Sequence, residues 1–167
     1  MLKPTQIVIN TSPLIALVAA WGDLTRLEPL YDKVWVPFEV CQEILHGGRS
    51  QFGVSQFEQA TWLYKQTAAL AVSPLLLNTL DLGEASVIQL ALDHNIATVC
   101  IDEAVGRRVA RLSGLTLTGS IGILLKAKQR DPSLSIKAAI DNMLSHKIRL
   151  SQTVINVALR QAGEIDP

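Results

Sequence analysis

The chain has no net charge, only two cysteines and few aromatic side chains, and each shortage excludes something. Lys and Arg total 15 and Asp and Glu total 15, so no overall basic field recruits nucleic acid and any such binding must be local. Cys41 and Cys100 sit in apolar contexts, VCQEIL and TVCID, which suits small buried hydrophobes in a reducing cytoplasm better than a disulfide framework. No apolar run approaches the ~20 residues that span a bilayer. The N-terminus has no charged region leading into an apolar run and a cleavage site, so a soluble, cytoplasmic protein without a membrane partner is expected. There is no internal repeat and no low-complexity segment. Of the three tryptophans, Trp35 reads as core, while Trp21 and Trp62 are candidates for exposed partner surfaces.

What is present is apolar. Hydrophobic residues make up 49% of 167 residues and charged ones 18%, which fits one domain with a full core and rather little charged surface. Short β-branched runs alternate with helical patterns. Ile7 to Ile9 reads as a first strand ending at Asn10, and Thr11-Ser12-Pro13 as a cap with proline at the first helical position, before an almost wholly apolar helix to Ala20. Val34 to Val36 is a second strand, and Pro37 opens a helix with Glu43 at the edge of its apolar face. That helix ends at His46-Gly47-Gly48, a loop runs from Arg49 to Ser55, and the third strand is placed near Thr61 to Tyr64. Ile96 to Ile101 and Leu115 to Leu117 read as the fourth and fifth strands, followed by a helix from Ile121 to Lys128. Parallel neighbours need crossovers and helices make them, so the alternation predicts an α/β fold, a doubly wound parallel sheet of about five strands. Two further helical patterns, Ile136 to Ser145 and Gln152 to Ala162, form a C-terminal helical extension at 131–167, beyond a main unit at 1–130, which packs on that unit or on a partner subunit.

The stretch from Asp81 to Arg111 organises the rest. It reads helix, strand, helix, with Gly83 letting the entry turn run close to its neighbours and carboxylates at both ends. Glu84 shares a helix face with Ile88 and Ala91, which turns a charge inward. Asp102 and Glu103 stand directly after a buried strand, where open parallel sheets bind ligands. Each acid alone reads equally as a cap: Asp81 with Glu84 has capping-box spacing, and Asp102 could cap the following helix. Taken together with Asn10 after the first strand and Glu43 after the second, they could be gathered in one crevice by right-handed crossovers. Crowded carboxylates raise one another's pKa unless a cation compensates, and oxygen-only ligands suit Mg²⁺ or Mn²⁺ rather than zinc. Arg107, Arg108 and Arg111, one turn beyond Asp102, could meet phosphates, with Lys126, Lys128 and Arg130 as a second patch. His46, His94 and His146 read as helix C-terminal caps.

Four segments, VINTSPLIAL, VPFEVCQEIL, DLGEASVIQLAL and VCIDEAVGRRVARLSGLTLTGSIGILLKAK, together resemble the PIN-domain nucleases, VapC-like toxins included. The resemblance runs over residues 1 to about 130, with the helical extension of an uncharacterised prokaryotic branch beyond it. It implies a three-layer α/β/α fold and metal-dependent hydrolysis of phosphodiester bonds, usually in RNA. It places metal-binding positions at Asn10, Glu43, Glu84, Asp102 and Glu103, with catalysis on Glu43, Glu84 and Asp102 and accessory polar groups at Ser12, Thr118 and Ser120. It further implies an RNA substrate, a small antitoxin partner and a homodimer. The departure is Asn10, where the family pattern usually has aspartate: an amide offers one carbonyl oxygen but no charge. That leaves a second reading, a catalytically impaired PIN-like module that binds RNA or protein. A phosphoacceptor or phosphatase on a similar sheet needs a nucleophilic aspartate, and Asn10 stands at the strand-one position.

Overall fold

A computed structural model describes residues 5–47 and 51–166. Five strands form one fully parallel sheet in the order β3-β2-β1-β4-β5, with β1 (Gln6–Ile9) at its centre. β2 (Lys33–Val36) and β3 (Tyr64–Lys65) lie to one side, β4 (Thr98–Cys100) and β5 (Thr116–Thr118) to the other. Strand order therefore reverses at β1, and Ile9 stands level with Cys100 across the β1–β4 pair. Helices flank the sheet in a three-layer α/β/α arrangement, so central strands are buried on both faces and read as apolar runs instead of alternating.

The helices are α1 (Thr11–Trp21), α2 (Phe38–His46), α3 (Val54–Gln59), α4 (Pro74–Leu77), α5 (Leu82–Asp93), α6 (Ala104–Leu112), α7 (Ser120–Arg130), α8 (Ile136–Ser145) and α9 (Gln152–Gln161). Between α1 and β2 the chain makes a 3₁₀ turn, Glu28–Leu30, which Pro29, lacking an N–H, does not extend. α1 ends where Gly22 takes a φ of +85°, the left-handed geometry glycine adopts freely.

The C-terminal extension packs on its own chain. α8 lies along α1, and Asn142 Nδ2 donates to Ala20 O at 3.0 Å. Consequently Pro13, Leu14 and Ala16 to Ala20 are all buried, and α1 offers no open apolar face for a second subunit. Glu164 closes the extension: its carboxylate accepts from Lys128 Nζ at 2.8 Å, Ile136 N at 2.7 Å and Lys137 N at 3.0 Å. An anion at the exposed N–H groups of α8 is stabilised by hydrogen bonds and by the helix dipole.

Some sequence readings shift. The third strand is two residues long and starts at Tyr64 rather than Thr61, because α3 occupies Val54–Gln59 and a turn consumes Thr61 to Leu63. Part of the expected 49–55 loop is thus helix, while Gly48, Arg49 and Ser50 lie outside the described residues. β5 sits one residue later than expected and includes Thr118. Trp35 is core as expected, its indole donating to Gln6 Oε1 at 2.7 Å. Trp21 and Trp62 are half-buried against the core and are not exposed platforms. Lys128 is paired with Glu164 and Lys126 lies 4.0 Å over the Tyr31 ring, so the second basic patch is engaged within the chain. Among the described residues, no helix is long and apolar enough to cross a membrane.

Candidate active site

Because the sheet winds both ways from β1, the chain leaves β1 and β4 in opposite senses and a crevice opens at their carboxyl ends. Asn10 and Asp102 stand at its two lips. The Asn10 backbone N–H donates to Cys100 O at 3.1 Å, a continuation of the strand ladder that fixes the side chain's starting point. Asn10 occupies the cap position of α1 but makes no capping bond, and Thr11 and Ser12 supply none either. Ser12 Oγ donates instead to Glu103 Oε1 across the crevice. Asn10 is only 3% exposed and its Oδ1 has no hydrogen-bond partner. A buried amide oxygen left so costs about 1–3 kcal/mol.

Gly83 shows what that oxygen faces. The point where a Cβ would stand on Gly83 lies 2.6 Å from Glu43 Oε2 and 3.4 Å from both Asn10 Oδ1 and Asp81 Oδ1. Oxygens from three elements thus pass close to the Gly83 backbone, and a side chain there would collide with the Glu43 carboxylate. Asp81 is the residue that sequence reasoning misses. Its Oδ1 accepts from Glu84 N at 2.8 Å, the cap predicted from its spacing, and that sufficient local role conceals its place beside Glu43 and Asn10.

Glu84, in the first turn of α5, is 7% exposed. Gly106 at the start of α6 admits its carboxylate: a Cβ there would stand 2.8 Å from Glu84 Oε1. Burial, then the charges of Asp81 and Glu103, push Glu84 up to about 7, although the Asp81 backbone N–H pulls the other way as a capping-box partner does. Glu43 is raised as well, by desolvation first and then by Asp81 and Glu103. The Thr11 hydroxyl opposes that shift, though without a well-formed hydrogen bond.

Asp102 caps a helix, but α7 rather than α6: its Oδ1 accepts from Ser120 N at 2.8 Å. Desolvation raises its pKa, while the Ser120 bonds and the Arg107 charge act against the rise. Arg107 turns inward, Nη1 donating to Ile101 O at 2.8 Å and Thr118 O at 3.2 Å, so it ties the ends of β4 and β5 together beside Asp102. The histidines sit at helix ends as expected, His46 and His146 with Nδ1 3.1 and 2.8 Å from Gln42 O and Asn142 O, and His94 against Trp35.

A cavity of about 930 Å³ opens over Asp102 and Glu103, walled by Ser12, Arg107, Thr118 and Ser120. A second, of about 620 Å³, adjoins it over Glu43. Thr11, Ile15 and Lys147 line both, so the two form one trough along the acidic strand ends. Arg108 and Arg111 stand on α6 and line neither cavity. Among the described residues no group of three Asp, Glu, His or Cys side chains stands close enough to hold a metal ion. Glu43, Asp81 and the Asn10 amide do lie beside one another at Gly83, and their all-oxygen donors with the unpartnered Oδ1 suit a hard divalent cation.

A parallel sheet wound from a central β1, with acids at the end of β4 and on α2 and α5, defines a class of α/β proteins that bind at the switch point. The model of the PIN-domain family matches residues 6–164, and the chain belongs to that family, extension included. No curated protein and no solved structure matches it.

Proposed function

We infer that the chain is a divalent-metal-dependent ribonuclease, a toxin-like hydrolase of phosphodiester bonds whose crevice a small antitoxin would cover. The observation that carries this reading is the buried Asn10 Oδ1, left without a hydrogen-bond partner close to the Glu43 and Asp81 carboxylates. Asn10, Glu43, Glu84, Asp102 and Glu103 would hold the cation, and Asp81 adds the charge that Asn10 lacks. A bound Mg²⁺ or Mn²⁺ supplies Lewis acidity and a water of lowered pKa. No side-chain nucleophile is required. Ser12 orients Glu103, the Ser120 N–H orients Asp102, and Arg107 keeps β4 and β5 in register beneath them. Glu84, with its pKa near 7, is able to hold or release a proton at neutral pH. The homodimer implied by the resemblance belongs to the same proposal, but on a surface other than α1.

A second reading is a PIN-like binding module without catalysis. It is favoured by the neutral Asn10 and by the lack of three convergent acids among the described residues. One experiment separates the two. Mg²⁺ and Mn²⁺ are titrated into metal-stripped protein by calorimetry, with Glu84→Gln and Asp102→Asn alongside, and the same samples are assayed on mixed single-stranded RNA. Binding and cleavage that are both lost in the variants support the nuclease. No cation bound at millimolar concentration, with RNA intact, sinks it.

A further inference from the structure

The trough is acidic along one wall, and a polyanion entering it needs cations on another. Arg107 is already committed to two backbone carbonyls. Among the described residues the remaining cations that line it, Lys147 and Arg149, come from the far end of the chain, in the connection between α8 and α9. Neither makes a side-chain hydrogen bond or ion pair among the described residues, and both are exposed.

That connection is held at both ends. α8 finishes in a Schellman motif, with Lys147 N donating to Leu144 O and Ile148 N to Met143 O, each at 3.0 Å. Lys147 occupies the left-handed position of the motif, with a φ of +63°, where glycine is the unstrained choice. From there the chain continues with Ile148 and Leu150 packed against the core and Arg149, between them, exposed. Ser151 then caps α9 by accepting from Val154 N at 3.1 Å. His146, just before Lys147, stacks on Phe52 with ring centroids 4.9 Å apart, and this pair forms an aromatic wall of the second cavity, beside Glu43.

We propose that the α8–α9 connection is a nucleic-acid-binding arm, in which Lys147 and Arg149 hold phosphates of a single-stranded polynucleotide laid along the trough between the two cavities. This rests on the ribonuclease reading for the identity of the substrate, but not on catalysis or on a bound metal. Two fixed cations over an acidic floor place flanking phosphates where charge is favourable and leave the acids to a single scissile position.

The test measures binding of a short fluorescent single-stranded RNA by anisotropy in EDTA, where nothing is cut. The variants are Lys147→Gly with Arg149→Gln, and Arg108→Gln with Arg111→Gln on α6. Glycine suits a φ of +63°, so the first variant is expected to melt no lower than wild type. Its Kd is expected to rise about ten-fold or more, and the slope of log K against log salt to fall by about 1.4, two single-strand phosphate contacts' worth. The α6 variant is expected to change Kd by less than about two-fold, its charges standing in high-dielectric solvent away from the trough. An unchanged Kd and slope in the Lys147/Arg149 variant overturns the proposal. So does wild-type protein that ignores RNA but binds an oligoglutamate peptide through these two residues, which would assign the arm to an acidic protein partner. RNA binding that depends on the arm, without cleavage in Mn²⁺, would leave this inference standing while the nuclease reading fails. Cleavage with arm-independent binding would do the reverse.

Discussion

Replacing Glu84 by glutamine is expected to make the metal-free protein more stable and to remove its response to Mn²⁺. In the folded chain the Glu84 carboxyl is held at about 7 against an ordinary 4.5, chiefly by burial and then by Asp81 and Glu103. Its folded pKa is raised, so between these values the unfolded chain loses its proton first. Stability therefore falls as pH climbs through that window, and the penalty is complete above about 7. Each pH unit across it is worth up to about 1.4 kcal/mol, or about 3 kcal/mol in total, of which water and counterions in the crevice leave about 2 kcal/mol. Glutamine keeps the size and the capping-box bond to the Asp81 N–H but carries no charge. Urea unfolding in EDTA is therefore expected to show the variant about 2 kcal/mol more stable at pH 8 and nearly equal to wild type at pH 4.5. Adding Mn²⁺ should raise the melting temperature of wild type and leave the variant where it was. A variant less stable than wild type at pH 8, or an equal difference at both pH values, would refute the reasoning: Glu84 would then be a structural cap partner with no strain to release.

Two other perturbations test neighbouring parts of the structure. Glu164→Gln breaks the closure of the extension. Desolvation raises that carboxyl, but the bonds from Lys128, Lys137 and Ile136 outweigh it and hold the pKa at about 2, so its stabilisation is full above about 4.5 and fades as pH falls towards 2. The variant is expected to lose about 2 kcal/mol at pH 7 and to match wild type near pH 2, by urea unfolding at both. Asn10→Asp puts a charge at a position 3% exposed, beside Glu43 and Asp81, and is expected to cost about 2–3 kcal/mol in EDTA. Calorimetric melting in millimolar Mn²⁺ should recover most of that loss, whereas a variant equally unstable with and without the cation would argue against a metal at this point.

The parts of the fold visible in the sequence are those whose cause is local or doubly buried. Ile7 to Ile9 and Ile96 to Ile101 read as strands because both faces are covered, although the second pairs only over Thr98–Cys100, and Asn10 and Asp102 follow directly behind them. β3 escapes its place in the pattern because a two-residue edge strand has no periodicity to read. Asp81 is hidden by its own cap, since capping-box spacing accounts for it without remainder. Arg107 reads as free to meet a phosphate because its partners, Ile101 O and Thr118 O, become neighbours only when β4 and β5 lie side by side. Lys147 and Arg149 carry no signal at all: their nearness to Asp102 depends on α8 returning along α1, which no local pattern encodes.

Asn10 then reads less as a lesion than as an adjustment of charge. Glu43, Asp102 and Glu103 already line the trough, and burial with the charges of Asp81 and Glu103 raises Glu43 and Glu84. A further carboxylate at the most buried position would have to be neutralised by a proton or a cation at all times, whereas an amide presents the same kind of oxygen and needs neither. What a divalent ion requires is a set of oxygens at one point and about two or three negative charges around it, not a charge on every ligand. Asp81 supplies charge and Asn10 an unpartnered oxygen, both near the Glu43 carboxylate beside Gly83.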